Sequence, residues 1–462
     1  MSKGLLYGQR TLKIGKNMSR TAIVDGFRSP FCKEGTFLKN IPPELLGAMM
    51  VSEMLQRMRN WGIDPKKIDL VIGSNVGTPP DAINIARVAA VKGGLPESVP
   101  ADTVGKNCGS GIAAVHYGNV LIKANDRKIV LVVATESMSR LPIMYAESIR
   151  NDLIAFSRAK TKKKQVKIAV SIYPKLLRLQ NKKYAPQSGL LLGLTDQLCG
   201  LIMGLTAEKL AKDPSLGITR KDQDRFAMWS HQKVLNAQKR GILAEEILPL
   251  YVPRKTYSLV DSDNGVQKNL SLETFARTKP FFDRRFGTVT AANSSQITDG
   301  AACALLMNSE TARDLGLPVL GYVVDYCDVG YDPSRMGLSP VAAIANILHK
   351  TGRTMKDMSV IEINEAFAVQ TLACLKVLSS NTLMSKFFSA YNLGNAPGEI
   401  QEKQLNPNGG AIALGHPVGV SGLRLIITAL KELERKGDEQ ALVSACIGGG
   451  QGNAMILERG QK

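Results

Sequence analysis

Two thiols and one imidazole stand in glycine-rich surroundings in this chain: Cys108 in GKNCGSGIAA, His416 in ALGHPVGVSGLR and Cys446 in SACIGGGQGNA. A cysteine taken alone is most often a small buried hydrophobe. Here each one sits where an apolar, strand-like run meets glycines and then a helix-like pattern, which is how an α/β sheet offers a side chain to a substrate. Such a set points to acyl transfer. Cys108 is the candidate nucleophile, because amide dipoles at the start of the following helix-like segment are expected to lower a thiol pKa of about 8.5 and favour thiolate. His416 is the candidate base, and Pro417 directly after it with Gly419 close by should hold the ring in one orientation. Cys446 is the candidate second acid/base, and Gly448, Gly449 and Gly450 let the backbone approach a ligand. That glycine run lacks the GKS or GKT that marks a phosphate loop. The other three histidines, His116, His231 and His349, read as structural.

The elements that must position these groups alternate. TAIVDGF reads as a strand, RSPFCKEGTF as a loop, 43–59 as a helix and IDLVIGSNV as a strand. A short strand after Ala101, the Cys108 turn, a helix through Lys123 and the strand KIVLVVATES follow. Residues 139–285 break this rhythm and read as a large insertion. GTVTAANSSQITDGAACALLMN restores the sheet pattern. The C-terminal half then repeats it with LGYVVDYC, a helix from Pro340, VIEINEAF, the GHP turn with its helix, and ALVSACIGGGQGNAMILE. Two similar α/β halves with a mixed or parallel sheet are implied.

The chain has 462 residues, 44% of them hydrophobic, which is ample for a packed core in two or three domains. Seven cysteines without a CxxC pair, and no secretory segment at the start, argue against a disulfide framework. Apolar runs such as IVLVVA suit buried strands rather than membrane spans. The net charge is +19, and about half of the excess lies in 151–190, where ten lysines or arginines face one acid, Asp152. Only Tyr173 and Tyr184 are interleaved there, with no recognisable nucleic-acid module, so sequence-specific nucleic-acid binding is not expected. The first twenty residues are basic and acid-free, a floppy leader that leaves bacterial cytoplasm and mitochondrial matrix both open.

GKNCGSGIAA, INEAFA, NPNGGAIALGHPVGVSG and CIGGGQG stand in the order and spacing of the four active-site loops of the thiolase superfamily, which the chain resembles from about residue 21 to 457. The resemblance implies a five-layered αβαβα fold of two similar half-domains with a loop domain inserted in the first. On this sequence the expected boundaries are 21–138 completed by 286–310 for the N-terminal half, 139–285 for the insertion and 311–462 for the C-terminal half. It further implies acyl-CoA and CoA as substrates, no metal, no permanently bound cofactor, and a homodimer or homotetramer.

RSPFCKEGTF and the long, basic insertion resemble most the β-subunit of the fatty-acid β-oxidation trifunctional complex, which implies a hydratase/dehydrogenase α-subunit as partner. Asn364 stands where those β-subunits usually carry histidine, so the NEAFA loop is similar to that of the soluble thiolases. Ile202 stands where short-chain thiolases usually show histidine, which argues against an exclusively acetoacetyl-specific pocket.

Carried onto this sequence, the resemblance makes Cys108 and Gly448 amides one oxyanion hole. Asn364 holds a water that completes the other with His416, and Glu365 fixes the loop. Ser295, Met203, Met336 and Phe367 line the pantetheine and acyl channel. The expected reaction is thiolysis of 3-ketoacyl-CoA in β-oxidation through a Cys108 thioester. A biosynthetic acetyl-CoA acetyltransferase is the nearest alternative, and a non-catalytic scaffold or RNA-binding protein, using the charge and not the thiols, the one from another class. The basic segment and the apolar run up to Leu205 give 151–205 the character of a peripheral membrane or partner contact.

Overall fold

The computed structural model describes residues 19–181, 183–253 and 257–460; the expected basic leader lies outside these but for Ser19 and Arg20. In the main sheet the strands run in the order Val360–Ile363, Gln440–Ile447, Gln451–Arg459, Gly321–Gly330, Thr21–Arg28, Thr298–Asn308, Ile129–Ser137, Leu70–Ser74 and Ala101–Val104, with Cys32–Lys33 paired to Thr298–Asn308. The sheet is mixed: Leu70–Ser74 pairs in parallel with both of its neighbours and Val360–Ile363 with Gln440–Ile447, while the other ladders are antiparallel. Among the described residues, the two halves of the sheet pair where Thr21, Ala22 and Ile23 face Val323, Tyr322 and Gly321.

Ile129–Ser137 is buried along its whole length, as a continuous β-branched run covered on both faces must be. The covers form the layers. Helix Pro43–Asn60, opened by a proline in its first turn, packs outside the first half-sheet with Met50, Met54 and Leu55 against Leu131 and Val133. Between the half-sheets lie helices Ser110–Lys123 and Ser421–Lys436, joined in one core by Ile112, Val115, Leu423 and Ile426 with strand residues Val132 and Met455. Helices Ser339–Thr351 and Ala368–Leu378 cover the far side. This is the five-layered αβαβα arrangement expected.

The stretch expected as one strand around 287–308 is a strand only over Thr298–Asn308, because Thr290 and Asn293 form a reciprocal capping box on a short 3-10 turn before it. Residues 139–285 hold helices Glu147–Ser157, Lys162–Leu176, Met203–Ala211 and Arg220–Lys239. The expected helix-like pattern after Cys446 is a β-hairpin instead: Gln440–Ile447 returns as Gln451–Arg459, and Cys446 pairs with Gly452. The short apolar run AMIL is buried on both faces as a central strand is, and the intervening turn takes Gly449 at φ 90° and Gly450 at φ 71°, conformations that L side chains resist.

Candidate active site

Cys108 lies in the 3-10 turn Asn107–Gly109 that opens helix Ser110–Lys123. Asn107 adopts a left-handed φ of 44°, which asparagine tolerates better than most residues. Its Nδ2 donates to the Gly448 carbonyl at 2.9 Å. Ser110 closes the turn, its Oγ accepting from the Lys106 amide at 2.7 Å and donating to the Asn107 carbonyl at 2.7 Å. The flanking glycines are there for contact. A Cβ on Gly109 would stand 2.3 Å from Ile447 Cδ1, and one on Gly111 2.3 Å from the Leu423 amide nitrogen. The absence of side chains thus lets the nucleophile turn press against both the Cys446 strand and the helix that follows His416.

The expected low-pKa thiolate is not what this turn makes. Burial pushes the Cys108 thiol up to about 11, against the Gly448 and Cys108 amides, which favour thiolate; the nearby Glu136 carboxyl pushes the same way as burial. Among the described residues no cationic side chain supports the sulfur, and two amides do not offset desolvation. Cys446 is fully buried, and its thiol is raised well above its ordinary value by burial and by the neighbouring Cys108 and Cys374. Both sulfurs therefore rest as thiols, and the nucleophile depends on a base.

His416 is the candidate. Its backbone amide donates to the Gln296 carbonyl at 3.1 Å and contacts Thr298 Oγ1 at 3.2 Å, which seats the GHP turn on the start of strand Thr298–Asn308. Nδ1 lies 2.6 Å from Ser421 Oγ, and that hydroxyl donates to the Pro417 carbonyl at 3.1 Å. With its proton so committed, Ser421 accepts from Nδ1–H and leaves the lone pair on Nε2. Burial, with the Arg424 charge adding, lowers the ring to about 4, so it is neutral and able to take a proton.

Asn364 Nδ2 stands 3.4 Å from His416 Nε2, while Oδ1 is buried with no hydrogen-bond partner among the described residues. The NEAF loop is held from below by a buried carboxylate: Glu365 accepts from Ser230 Oγ at 2.6 Å, Asn406 Nδ2 at 2.7 Å and the Ile412 amide at 3.3 Å. Asn406 of the NPNGG segment also accepts from the Ile363 amide at 2.9 Å and donates to the Ile363 carbonyl at 3.0 Å.

The expected channel residues fall nearby. Met203 Sδ stands 3.5 Å from where a Cβ on Gly448 would be. The Ser295 amide donates to the Ala366 carbonyl at 3.0 Å, and Ser294 bridges to Phe367. Phe367 meets Phe282 edge-on at 6.1 Å. Met336 is buried in the core cluster that also contains Cys446 and Phe367.

Three further residues join the site without having stood out in the sequence. Ser421 is one, and the GHPVGVSG string shows it five residues after His416. Glu136 is the second: an acid at the end of IVLVVATES whose buried carboxylate accepts from the Asn75 side chain and from the Val76, Gly77 and Gly419 amides, pinning the loop after His416. An acid closing an apolar strand is the signal that marks it. The third is Asp196, whose carboxylate accepts from the Gly449 amide at 2.7 Å.

Comparison with known proteins gives the family of the chain. The chain matches the families described as Thiolase, N-terminal domain, over residues 21–310 and Thiolase, C-terminal domain, over residues 317–459. It is 37% identical over 449 residues to the 3-ketoacyl-CoA thiolase of Photorhabdus laumondii, covering 96% of this chain and 98% of that one. The 3-ketoacyl-CoA thiolase of Pectobacterium carotovorum is 36% identical over 448 residues, with the same coverage. Among solved structures, the Bacillus anthracis acetyl-CoA acetyltransferase superposes with TM-score 0.81 at 30% identity, covering 96% of this chain and 99% of that one. Human mitochondrial 3-ketoacyl-CoA thiolase does so with TM-score 0.79 at 32% identity and the same coverage.

Proposed function

The chain belongs to the thiolase family, and from that premise we propose how its side chains divide the reaction. The protein is an acyltransferase that cleaves 3-ketoacyl-CoA with CoA, giving acetyl-CoA and an acyl-CoA shortened by two carbons, in fatty-acid β-oxidation. The observation that carries the mechanism is the pairing of Cys108 and Cys446 as resting thiols at the Gly448 turn, together with a neutral His416 imidazole whose Nδ1 faces Ser421 and whose Nε2 faces Asn364.

His416 Nε2 takes the Cys108 proton as the sulfur attacks the keto carbon, and the resulting oxyanion is met by the Cys108 and Gly448 amides. Collapse breaks the bond between the α and β carbons. The departing acetyl-CoA enolate keeps its charge on the thioester oxygen, facing the His416 Nε2–H and a water on Asn364, until Cys446 protonates its carbon. The acyl group is then on Cys108 and the Cys446 thiolate is a base. It takes the proton of the incoming CoA thiol, whose sulfur attacks the Cys108 thioester; Cys108 leaves as thiolate and recovers its proton from His416. Removing one oxyanion-hole donor costs about 2.7–4 kcal/mol of transition-state stabilisation, so Gly448 matters as much for its N–H as for its lack of a side chain.

Ser295, Met203, Met336 and Phe367 line the pantetheine and acyl channel in this reading, and the chain preference is medium or long. Residues 21–138 with 286–310 form the N-terminal half, 139–285 the inserted loop domain and 311–462 the C-terminal half. The bacterial relatives support a cytoplasmic location. A homodimer or homotetramer is the working assembly, with a hydratase/dehydrogenase α-subunit as the candidate partner.

The helices Glu147–Ser157 and Lys162–Leu176 pack on each other and turn apolar side chains outward among lysines, with Val166, Val170, Tyr173 and Leu177 each more than 60% exposed. This surface suits an anionic membrane face, each basic residue adding about 1 kcal/mol near it. Among the described residues no helix is long and apolar enough to cross a membrane. Salt-sensitive flotation with anionic vesicles, lost on deletion of 151–187, is the expected result; unchanged flotation after the deletion refutes the contact.

The likeness to the Bacillus anthracis acetyl-CoA acetyltransferase favours acetoacetyl-CoA formation as a second reading. CoA-dependent loss of 3-ketoacyl-CoA absorbance over a series from four to sixteen carbons, with Cys108→Ala as control, separates the two. A maximum at long chains supports β-oxidation, and activity at four carbons alone supports the acetyltransferase.

A further inference from the structure

We propose that Asp196, at the corner of the loop that leads into helix Met203–Ala211, is a positioning residue that locks the Gly448–Gly449 peptide and thereby couples the inserted segment to the oxyanion hole. The proposal rests on the mechanism assigned above to the Gly448 amide. Three glycines in a row leave a turn with wide conformational freedom, and a peptide plane between two glycines can rotate with little steric resistance. In this structure that plane is held at both ends. Its carbonyl, on Gly448, accepts from Asn107 Nδ2 at 2.9 Å, and its N–H, on Gly449, donates to Asp196 Oδ2 at 2.7 Å. Rotation of this plane would break both bonds at once and would swing the adjacent Gly448 amide away from the Cys108 sulfur.

Asp196 is itself built into place. Its Oδ1 accepts from the Leu198 and Cys199 amides at 2.8 and 3.1 Å, its own amide donates to the Leu201 carbonyl at 2.9 Å, and its carbonyl accepts from Gly200 at 2.8 Å. Burial resists ionisation here, but the Cys199, Leu198 and Gly449 amides outweigh it and hold the carboxyl below the usual carboxylate range. No lysine or arginine pairs with it among the described residues. A buried carboxylate that accepts from three amides, with the Cys199 thiol as a further donor, is a geometric device, since its charge fixes the direction of three N–H groups.

The loop then folds back on itself. Thr195 bridges to Ile202, and the Met203 amide donates to the Leu194 carbonyl at 2.9 Å. One short turn of chain therefore delivers two contacts to the glycine turn: the Asp196 carboxylate on the Gly449 amide, and the Met203 thioether beside Gly448. An acyl chain that presses on Met203 displaces the same loop that holds the oxyanion-hole peptide, so fit of the acyl group is read out as order in the catalytic turn.

The test uses two readouts on the full-length protein. The first needs no acyl substrate: iodoacetamide alkylation of Cys108 at pH 8, followed by peptide mass spectrometry. Because the Gly448 amide favours the thiolate, Asp196→Ala is expected to slow alkylation several-fold. The second is steady-state thiolysis, in which kcat is expected to fall about ten- to a hundredfold, below the full loss of an oxyanion donor, with KM for CoA within twofold. Asp196→Asn, which keeps one acceptor oxygen, should recover part of both. A cycle with Asn107→Gly, which keeps the left-handed turn and removes the other end of the clamp, should be non-additive, since both variants free the same peptide.

Unchanged alkylation in Asp196→Ala, or additive effects in the cycle, overturns the proposal. Absence of thiolysis in the parent protein instead overturns the reading of function, and the alkylation arm still decides the clamp.

Discussion

Replacing Ser421 by alanine removes one hydroxyl that touches no substrate, yet it should cost the enzyme most of its turnover. Ser421 Oγ is 2.6 Å from His416 Nδ1, and its own proton goes to the Pro417 carbonyl. Without it Nδ1–H has lost its acceptor in a buried site, and the tautomer with the lone pair on Nε2 is no longer selected. The ring is already a weak base, lowered to about 4 by burial and by Arg424. The hydroxyl's stabilisation of the imidazolium is therefore a contribution the reaction cannot spare when the proton leaves a thiol held near 11. A hydrogen bond to a group that becomes charged contributes about 1.5–3 kcal/mol, which at 1.4 kcal/mol per factor of ten is about 10- to 150-fold in rate.

The scaffold should survive the change. The Pro417 carbonyl still accepts the Val420 and Ser421 amides at 2.9 and 3.0 Å, so the entry to helix Ser421–Lys436 keeps its backbone bonds. The assay is kcat and KM for thiolysis with the melting temperature as control. A loss in kcat with KM and melting temperature nearly unchanged is the expected result. A kcat within twofold of the parent would refute the role given to the hydroxyl.

The same low basicity sets the acid limb of the pH profile: His416 must be neutral to act, so kcat/KM should hold as pH falls through 6.5 and drop only near 4, and a limb near 6.5 contradicts the burial argument. Arg28 is buried between Glu246 at 2.7 Å and Asp263 at 2.7 Å, so Arg28→Met leaves two carboxylates uncompensated and should lower unfolding free energy by about 3–5 kcal/mol in a urea titration. Gly111→Ala puts a Cβ 2.3 Å from a backbone nitrogen and should depress the melting temperature, whereas Gly448→Ala makes ordinary contacts, with the Met203 sulfur at 3.5 Å and Asn107 Nδ2 at 3.6 Å, and should fold like the parent; equal melting temperatures for the two would show that the close approach of the two central helices is not a constraint.

What the sequence shows of this site is the part carried by local strings. Cys108, His416 and Cys446 announce themselves because each lies beside glycines that exist for close contact, and those contacts are visible at Gly109 and Gly111. The alternation of strands and helices is legible because runs such as Ile129–Ser137 are buried on both faces and must be apolar throughout. The hairpin after Cys446 is less legible, because glycines interrupt the apolar run and AMIL, buried on both faces, has no period that tells a strand from a helix.

The thiol pKa of Cys108 is not legible in its string for a different reason. Helix dipoles are a local property that a sequence suggests, while desolvation depends on everything packed around the sulfur, and here it is the larger effect. Asp196 and Gly449 are 253 positions apart in the chain, and nothing local in either string joins a carboxylate to that amide. Glu136, Ser230 and Asn406 belong to the same class of residue, polar groups whose partners are distant in the chain and meet them only in the folded structure.

The central claim is that the acyl group passes through Cys108. Mass spectrometry of the protein quenched after mixing with a long-chain 3-ketoacyl-CoA, before and after addition of CoA, tests it most directly. The account predicts the mass of the shortened acyl group on the Cys108 peptide, released when CoA is added and absent from Cys108→Ala. Acetyl-CoA formed by the parent with no acyl adduct on Cys108, or with the adduct on Cys446, would contradict it.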